Sequence, residues 1–526
     1  MQSAARPPCD QAVIKSQKDV KGCGEHVGKW VLAAAILGSS ITFIDGTVVN
    51  VALPVLQKEL DASVGGAQWI VESYALMLAA LILVGGSLGD RLGRKRVFVA
   101  GVTLFGIASI ACGAAPGIGT LIAARAIQGM GAALLVPGSL ALISANFPKE
   151  KRGRAIGTWS GFTSIAAGVG PVLGGWLVSN ASWRWIFLIN VPFAIAVVVI
   201  CWLRVPESRD EEAKGKIDWL GAALATLGLG GIVYGLIESN SGGFWAAHVI
   251  ASLGIGVAAG AGFVIVENRK TDPMLPFDLF RSATFAGANL LTLFLYAALG
   301  GIMFFLPFNL IQVQGYSPAA AGASLLPFVL TMFLLSRWAG GLVDRYGSKL
   351  PLIVGPLIAG AGFALFAFAG SGSFWTTFFP AIMVMSLGMC IAVAPLTTTV
   401  MTAVEERHAG IASGINNAVS RTAALVAVAV FGVIMVTTFS SSLSGRLKLL
   451  PLADDVKTQI IAQKDDLVNL KIPESVSEPT QTAIREYVKE SFVAGFRLVA
   501  LVAAGLAVLS AVASFFLIEG KERKHD

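Results

Sequence analysis

Long apolar segments constrain the fold of this chain more than any other feature of its sequence. Each has enough residues to cross roughly 30 Å of hydrocarbon as an α-helix that rises about 1.5 Å per residue. The sequence contains fourteen of them, at about residues 29–54, 67–88, 97–115, 118–145, 155–179, 185–203, 217–237, 246–266, 284–310, 318–338, 350–369, 375–400, 411–438 and 493–518. Only 13% of the 526 residues are charged, against about 25% in an ordinary globular domain. The sequence therefore predicts an all-α polytopic membrane protein and excludes a soluble enzyme.

Basic residues are clustered in every second loop of this arrangement. The clusters lie at residues 91–96, 149–154 and 204–216, and the alternate short loops hold few lysines or arginines. Cytoplasmic loops carry the excess of basic residues, so we expect both chain termini to be cytoplasmic and the protein to lie in the cell (inner) membrane. This distribution accounts for the net charge of +7 without nucleic-acid binding. Residues 1–28 lack the features of a signal peptide and are expected to form a mostly disordered cytoplasmic tail.

One predicted exterior segment, residues 441–490, is much longer than the others. It is charged and contains two amphipathic stretches, Asp454–Asn469 and Thr480–Lys489, which are separated by prolines. Long segments are translocated largely regardless of their charge, so its basic residues do not contradict the predicted topology. Two interpretations are open: the segment is a solvated connector, or it is a lid or partner-docking element over the exterior vestibule.

A ten-residue motif recurs with Gly, Asp, Arg, Gly and Lys in register and indicates an internal duplication. It reads GSLGDRLGRK at residues 86–95 and GGLVDRYGSK at residues 340–349, each after the second apolar segment of a half. The two copies are separated by 344 − 90 = 254 residues, which is more than six helices with short loops require. The surplus predicts a helix pair inserted between two six-helix bundles.

The predicted domain organisation follows from this duplication. The chain divides into a cytoplasmic tail at 1–28, an amino-terminal six-helix bundle at 29–204, the inserted helix pair at 205–270, a carboxy-terminal six-helix bundle at 271–518 and a tail at 519–526.

Several motifs resemble those of the major facilitator superfamily, and in particular of its fourteen-helix drug:proton antiporter family. The repeated sequence resembles the cytoplasmic motif of the superfamily. Residues 45–54 (DGTVVNVALP), 125–131 (RAIQGMG) and 168–175 (GVGPVLGG) resemble the motifs of helices 1, 4 and 5 of the antiporter family. The resemblance implies a fold of two six-helix bundles and transport driven by the proton gradient. The second half has no clear copy of the helix 5 motif, so a symmetric mechanism is not implied.

The repeated motif predicts a cytoplasmic gate. Its members are Gly86, Asp90, Arg91, Gly93, Arg94, Asp344 and Arg345. Asp90 lies at the inner end of the second helix, where Arg94 at the i+4 position can pair with it. The functional interpretation is a latch that keeps the cytoplasmic side shut in one conformation. The alternative is a loop that serves only membrane insertion and orientation.

The Gly-Pro sequence of the fifth helix predicts a close or flexible contact at the exterior side. Its members are Gly168, Gly170, Pro171, Gly174 and Gly175. Small residues allow helices to approach closely, and Pro171 donates no backbone hydrogen bond to its own helix. An exterior gate is the functional interpretation, and plain helix packing is the alternative.

Three ionisable residues in apolar segments are the strongest functional signal. Asp45, Glu72 and Arg125 all fall in the outer half of the first bundle, and each is costly to place inside a membrane. A neighbouring guanidinium favours the carboxylate, whereas burial without that partner favours the neutral acid. We therefore predict Asp45 as the proton carrier and Arg125 as its regulator. Glu72 is either a second proton or cation-recognition site or an interfacial carboxylate in contact with water.

Further residues are predicted to line a central cavity. The polar candidates are Asn50, Tyr74, Gln128, Asn417 and Arg421. The face that carries Asn417 and Arg421 either lines the cavity or packs on the preceding helix. Tyr74, Met303, Phe304, Phe305 and Phe308 form either an adaptable apolar surface for drugs or a surface that faces lipid.

These features together predict a secondary transporter. There is no G-x-x-x-x-G-K-[ST] nucleotide-binding motif, and the scattered histidines and cysteines do not indicate an enzyme or a metal site. A non-transporting sensor or scaffold would need neither the duplicated motif nor the buried Asp45. We expect a proton-coupled exporter of lipophilic, cationic drugs or dyes. The alternative is export of an endogenous metabolite, a lipid or a self-made antibiotic.

We expect no cofactor and no nucleic-acid partner. The expected partners are the substrate, protons and the bilayer, and the protein is expected to be a monomer.

Overall fold

The computed structural model describes residues 25–520 apart from 210–217, 271–272, 274, 369–372, 405–408 and 474–475. Fourteen helices in this part of the chain are long and apolar enough to cross a membrane, and the described residues contain no strand. The predicted all-α fold with fourteen spans is therefore confirmed. Residues 1–24 of the predicted amino-terminal tail and residues 521–526 lie outside the described residues.

Seven helices precede the inserted pair, and two of them share one span. They are α1 (Glu25–Glu59), α2 (Val64–Leu92), α3 (Arg94–Gly113), α4 (Ile118–Asn146), α5 (Lys149–Asn180), α6 (Trp185–Leu188) and α7 (Asn190–Arg204). The first helix begins at Glu25, four residues before the predicted start, and Pro54 lies inside it. The second helix is capped by Ser63, whose hydroxyl accepts a 3.1 Å hydrogen bond from Gly66 N.

The inserted pair and the carboxy-terminal bundle supply the remaining helices. They are α8 (Trp219–Gly242), α9 (Ala247–Arg269), α10 (Ala283–Phe308), α11 (Pro318–Ala323), α12 (Leu326–Gly340), α13 (Leu342–Tyr346), α14 (Lys349–Phe366), α15 (Phe374–Thr402), α16 (Ala409–Leu447), α17 (Asp454–Ala462) and α18 (Glu478–Leu517). A π-helical turn at Asn309–Val313 continues α10. The inserted helices pack on each other, and α8 also contacts α2 and α16, one helix from each bundle.

Glycines allow the helices within each bundle to approach closely. A Cβ atom on Gly85 would lie 2.8 Å from the Ala133 carbonyl carbon, and one on Gly131 would lie 2.7 Å from Phe105 N. The corresponding contact in the second bundle is between Gly388 and Ala359, at 2.6 Å from the Cα atom. Apolar burial provides no driving force between helices in lipid, so close backbone packing of this kind holds each bundle together.

The two bundles are in contact at the end of the molecule that the charge pattern predicts to be exterior. Gln312 in the π-helical turn donates a 3.1 Å hydrogen bond to Gln57 Oε1 in α1. Ala319 N donates a 3.2 Å hydrogen bond to the hydroxyl of Ser179 in α5. We call this the exterior end of the protein, and it is closed in this conformation.

The long exterior segment folds over this end and differs from its predicted outline. The stretch predicted as an amphipathic piece at Thr480–Lys489 is not separate, because α18 runs without a break from Glu478. The other stretch forms α17 and a 3₁₀ turn at Lys464–Asn469. The segment is not fully solvated, because several of its apolar side chains lie in the main hydrophobic core, among them Ile460, Leu467, Leu470 and Val476. We call residues 454–473 the cap.

The phenylalanines of α10 are buried, contrary to both predictions for them. Phe304, Phe305 and Phe308 have exposed fractions of 1%, 0% and 1%. Their ring centroids lie 4.8–6.4 Å apart, in tilted or edge-on arrangements that aromatic pairs prefer. In this conformation they are part of the core and form neither an open drug-binding surface nor a lipid-facing one.

Candidate functional site: a buried ion pair and its surroundings

Asp45 and Arg125 form an ion pair that is almost completely inaccessible to solvent. Arg125 Nη1 lies 2.5 Å from Asp45 Oδ2, and the exposed fractions of the two side chains are 1% and 0%. Arg125 Nε also donates a 3.0 Å hydrogen bond to the carbonyl of Ile70. The pair therefore links α1, α2 and α4, and the structure brings together two of the three predicted ionisable residues.

Amide and hydroxyl side chains provide the remaining hydrogen bonds around this ion pair. Gln128 Nε2 donates a 2.9 Å hydrogen bond to Asp45 Oδ1, and Gln128 Oε1 accepts one of 2.7 Å from Arg125. Asn190 Nδ2 donates to the same Asp45 oxygen at 3.0 Å. Ser109 Oγ accepts a 2.9 Å bond from Gln128. Every oxygen of the buried carboxylate thus has a donor, which is the condition under which a buried charge is tolerated.

Sequence reasoning assigned this network incompletely. Gln128 was predicted as a cavity residue, whereas here it is bonded to both members of the ion pair. Asn190 and Ser109 were not singled out. A signal for Asn190 was present, because an amide inside an apolar segment needs a partner in the membrane.

Aromatic rings form the wall beside the guanidinium. The central carbon of Arg125 lies 4.3 Å from the ring centroid of Tyr74 and 5.8 Å from that of Phe187. A cation over an aromatic face is attracted by the negative face of the ring. Tyr74 is only 5% exposed, so this predicted cavity residue lies in the wall around the ion pair.

Glu72 is buried in a different environment on α2. Its exposed fraction is 0%, and neither carboxylate oxygen has a hydrogen-bond partner among the described residues. One turn earlier, Gln68 Nε2 donates a 2.9 Å bond to the carbonyl of Val428 in α16, so this part of α2 contacts the second bundle. The burial does not agree with an interfacial carboxylate in contact with water. Glu72 also makes no hydrogen bond to the Asp45 network.

One face of α1 and the Arg421 side chain approach each other between the bundles. The guanidinium carbon of Arg421 lies 5.9 Å from the Phe43 ring centroid. A Cβ atom on Gly46, one turn farther along α1, would have no neighbouring heavy atom within 4 Å. Asn50 follows after another turn and donates to the Gly46 carbonyl at 3.5 Å. The α1 face with Phe43, Gly46 and Asn50 therefore borders open space opposite Arg421.

The neighbouring asparagines of α16 have different roles. Asn417, which was predicted to line the cavity, is exposed and bonds only to its own helix, at the carbonyl of Ser413. Asn416 Nδ2 instead bonds to α10, at 2.7 Å from Thr292 Oγ1 and 3.2 Å from Asn289 Oδ1. Asn416 is the residue that joins two helices of the second bundle.

The cytoplasmic motif of the first half forms a compact helix junction. Arg94 Nε donates a 2.9 Å hydrogen bond to Asp90 Oδ1, as the i+4 spacing predicts. Gly93 separates α2 from α3 with a φ of +112°, a conformation that favours glycine. The carboxylate of Glu207 accepts bonds of 3.0 and 3.2 Å from the N–H groups of residues 95 and 96. Glu207, which sequence reasoning missed, therefore caps the start of α3.

The other predicted members of the cytoplasmic gate lie in both copies of the motif. Gly86 would place a Cβ atom 3.7 Å from Pro137. Arg91 is half-buried, and Arg345 in the second copy is exposed, with its guanidinium carbon 5.4 Å from the Tyr346 ring. Asp344 lies in α13, and its side chain is outside the described part of the structure.

The glycines of α5 face two partners. Gly170 and Gly174 pack on α1, where added Cβ atoms would lie 3.2 Å from the Ile44 carbonyl oxygen and 3.0 Å from that of Val48. Three other residues of α5 contact the second bundle: Gly168 contacts Val329, Pro171 contacts Gly322 and Gly175 contacts Ala319. Of the predicted exterior-gate residues, Gly168, Pro171 and Gly175 thus lie where the two bundles touch, whereas Gly170 and Gly174 lie against α1.

The sequence was compared with protein families, and one model matches most of it. The model described as Major Facilitator Superfamily matches residues 35–428. The chain belongs to the Major Facilitator Superfamily. Its members are membrane transporters rather than enzymes, which agrees with the fourteen apolar helices of this chain.

Relatives within the superfamily are named for drug and antibiotic resistance. The multidrug resistance protein Stp of Mycobacterium tuberculosis is 35% identical over 438 residues, which cover 82% of this chain and 80% of Stp. The tetracenomycin C resistance and export protein of Streptomyces glaucescens is 31% identical over 494 residues, covering 92% and 90%. The methylenomycin A resistance protein of Bacillus subtilis is 34% identical over 429 residues, covering 80% and 91%. The predicted membership of a multidrug-efflux type of facilitator is confirmed.

Solved structures of other facilitators share the fold at low sequence identity. A bacterial homologue of the human lysosomal transporter Spinster, in an inward-facing and unoccupied conformation, matches with a TM-score of 0.65 and 19% identity over 93% of this chain and 98% of the homologue. A D-xylose–proton symporter matches with a TM-score of 0.59 and 14% identity over 93% and 98%. These similarities support the fold alone.

Proposed function

We propose that this facilitator is a proton-coupled antiporter that exports lipophilic compounds by alternating access. The observation that carries the proposal is the fully buried Asp45–Arg125 pair. An ionisable group at this depth costs several kcal/mol and is by default a functional one. The efflux and resistance names of the relatives support export as the direction of transport.

The surroundings of the ion pair suggest how Asp45 takes up and releases a proton. Both oxygens of the Asp45 carboxylate accept hydrogen bonds, Oδ2 from Arg125 and Oδ1 from Gln128 and Asn190. A proton on Asp45 removes the charge that holds the guanidinium. Arg125 then keeps the Ile70 carbonyl as a hydrogen-bond acceptor and the Tyr74 ring as a cation–π partner. These retained contacts limit the cost of separating the pair.

We infer that the substrates include lipophilic cationic drugs or dyes, with Glu72 as the second proton or recognition site. Its carboxyl group is buried without a hydrogen-bond partner, so an uncompensated negative charge there is unfavourable. A cation that reached this face of α2 would replace the proton and provide the missing partner. The alternative substrate, a metabolite, lipid or self-made antibiotic, is favoured by the antibiotic names of two relatives.

Transport into proteoliposomes with an imposed pH gradient tests this function. Uptake of monovalent and divalent cationic dyes should depend on the gradient for the unchanged protein and be lost in Asp45→Asn. Asp278→Asn makes the same chemical change at an exposed carboxylate, 81% accessible, and should leave uptake unchanged. Full coupling in Asp45→Asn would contradict the assignment. Gradient-driven uptake of an organic anion instead of the dyes would favour the alternative substrate.

A further inference from the structure

A cavity of about 420 Å³ lies at the exterior end, between the cap and the first turns of α18. Three of its lining residues are basic: Lys471 from the cap, and Arg485 and Lys489 from α18. The other lining residues are the aliphatic Val468, Leu470, Ile472 and Val488. The cavity therefore combines a positively charged side with an apolar wall.

The basic residues from α18 form no ion pair in the described part of the chain, although Glu486 and Glu490 adjoin them in sequence. Arg485 and Lys489 are four positions apart on one helix face, a spacing at which like charges repel. In the described part of the chain neither is within salt-bridge distance of a carboxylate. Glu490, the acid next to Lys489 in sequence, is bonded to Arg446 in α16. The helix thus presents two positive charges to the cavity that have no ion-pair partner among the described residues.

The third basic residue is held in position by the cap. The backbone of Lys471 is fixed by the Gln463 amide, which accepts a 2.7 Å bond from its N–H group and donates one of 3.0 Å to its carbonyl. Its ammonium group lies 3.2 Å from Asp61 Oδ1 in the α1–α2 turn, and Asp466 also lies within electrostatic range. This ion pair is weak, because the Lys471 and Asp61 side chains are 79% and 85% exposed.

The position of the cavity along α18 corresponds to the outer headgroup layer of a bilayer. Lys489 precedes Leu517, the last residue of the helix, by 28 residues, which is roughly 42 Å at about 1.5 Å per residue. The hydrocarbon core accounts for roughly 30 Å of this length, and the headgroups add about 5–7 Å on each side. The exposed Arg497 lies two turns closer to the membrane, where its long side chain can reach the interface.

Basic residues at this end are not explained by membrane orientation, because orientation signals are concentrated in cytoplasmic loops. We propose that the cavity is a binding site for an anionic amphiphile. The phosphate or carboxylate headgroup contacts Lys471, Arg485 and Lys489, and the hydrocarbon chain lies along the aliphatic wall. Charge-assisted hydrogen bonds to a phosphate or carboxylate are among the strongest in proteins. The site is distinct from the Asp45 network, and its existence does not depend on proton coupling.

The test compares anion binding by the full chain and two double variants. Arg485→Gln/Lys489→Gln removes two charges from the cavity. Lys448→Gln/Lys457→Gln removes two exterior charges that do not line it. Each protein is extracted from nanodiscs of phosphatidylglycerol or of phosphatidylcholine, and the retained lipid is counted by native mass spectrometry. A second arm titrates the detergent-solubilised proteins with dodecyl phosphate and dodecanoate by calorimetry.

We expect stoichiometric retention of an anion by the unchanged protein, and affinity at least about tenfold lower in the cavity variant than in the control. Retained phosphatidylglycerol would identify the occupant as an outer-leaflet lipid. Binding of the single-chain anions alone would identify a freely diffusing amphiphile. Equal losses in both variants, equal retention of phosphatidylcholine, or no retention of any anion would overturn the proposal. Thermal melting of both variants reports whether each one is folded.

Discussion

At the scale of single residues, the Asp45–Arg125 pair shows how a membrane protein accommodates charge. Taking two ions out of water costs several kcal/mol each, and their attraction offsets this cost only when the remaining donors and acceptors are also satisfied. Gln128 and Asn190 meet that condition by donating to the carboxylate oxygen that Arg125 leaves free. The stability of the pair therefore depends on both members being charged together.

Neutral substitutions should separate the structural role of this pair from its transport role. Asp45→Asn or Arg125→Gln alone leaves one buried charge without its partner, and each is expected to destabilise the protein by about 3–5 kcal/mol. The double variant removes both charges and should recover much of that stability. Thermal unfolding in detergent measures the recovery, and dye uptake measures function. Gradient-driven uptake should stay absent in the double variant. Its return together with stability would indicate a purely structural pair.

The cap contains a second group of residues whose charge state depends on their surroundings. Burial raises the pKa of the Asp465 carboxyl above its usual range; the Lys464 ammonium opposes this rise, and Asp466 and Glu238 reinforce it. Burial likewise raises the pKa of Asp466, with a further rise from Asp61. These carboxylates come from the cap, the inserted pair and the first bundle, so their repulsion acts between separate parts of the molecule.

Docking of the cap should consequently depend on exterior pH. A carboxyl group whose pKa is higher in the docked state binds more protons there. Its contribution to the stability of the docked state is complete when the pH is below the ordinary aspartate pKa of about 4. This contribution is lost as the pH rises through the raised pKa of the docked state. Hydrogen-exchange protection factors of residues 454–473, which are corrected for the intrinsic pH dependence of amide exchange, should therefore be highest at acidic pH. Asp465→Asn removes part of the repulsion and should slow exchange at neutral pH. Asp454→Asn, at an almost fully exposed carboxylate, is the control. Protection factors independent of pH would disprove this mechanism.

At the scale of elements, α5 contacts both bundles through residues without side chains. A Cβ atom on Gly168 would lie 2.7 Å from Val329 Cβ, and one on Gly175 would lie 2.8 Å from Ala319 Cα. Distances under about 3 Å cannot be accommodated without movement of one helix, because protein interiors are close-packed. The closed exterior end requires small residues at these positions.

Larger residues on α5 should therefore keep the exterior end open. Gly168→Leu places a branched side chain against α12. With a cysteine introduced at position 312, we expect this variant to be labelled more by an impermeant maleimide. We also expect its transport to fall several-fold. Gly161→Leu, on the same helix, is the matched control, because a Cβ atom at Gly161 would have no neighbouring heavy atom within 4 Å. Unchanged labelling in Gly168→Leu would argue for plain helix packing.

Sequence patterns predicted the helices of this protein well and its contacts less well. Hydrophobic length decides where a helix crosses a membrane, so all fourteen spans could be identified. Asp45 and Arg125 could be identified because charge in an apolar segment is rare. Asn190 and Ser109 could not, since Asn190 is 145 residues from Asp45 in sequence, Ser109 is 19 residues from its partner Gln128, and each contact forms only after packing. The burial of Leu467 in the cap likewise depends on a tertiary contact that local composition does not contain.

At the scale of the whole molecule, the exterior closure joins parts from every region of the chain. The inserted helix α8 packs along α2 and α16, with Val233 and Ile237 buried against Leu425 and Ala429. The cap reaches the first bundle through Lys471 and Asp61. In the proposed alternating access, opening of this end would break these contacts together with those of α5, so several small interfaces hold the closed state.

A reversible cross-link across the closed end should stop transport by preventing this rocking. Ser179 and Ala319 belong to different bundles and are in contact, with Ala319 N 3.2 Å from the Ser179 hydroxyl, so a disulfide between cysteines at these positions is the cross-link to test. The five native cysteines are first replaced to avoid competing thiols. Oxidation is expected to abolish dye uptake in Ser179→Cys/Ala319→Cys, and reduction should restore it. A cysteine pair at Ser39 and Ser139, whose hydroxyls are 2.9 Å apart within the first bundle, is the control. Uptake that continued with the cross-bundle disulfide formed would mean that the exterior end opens by another route.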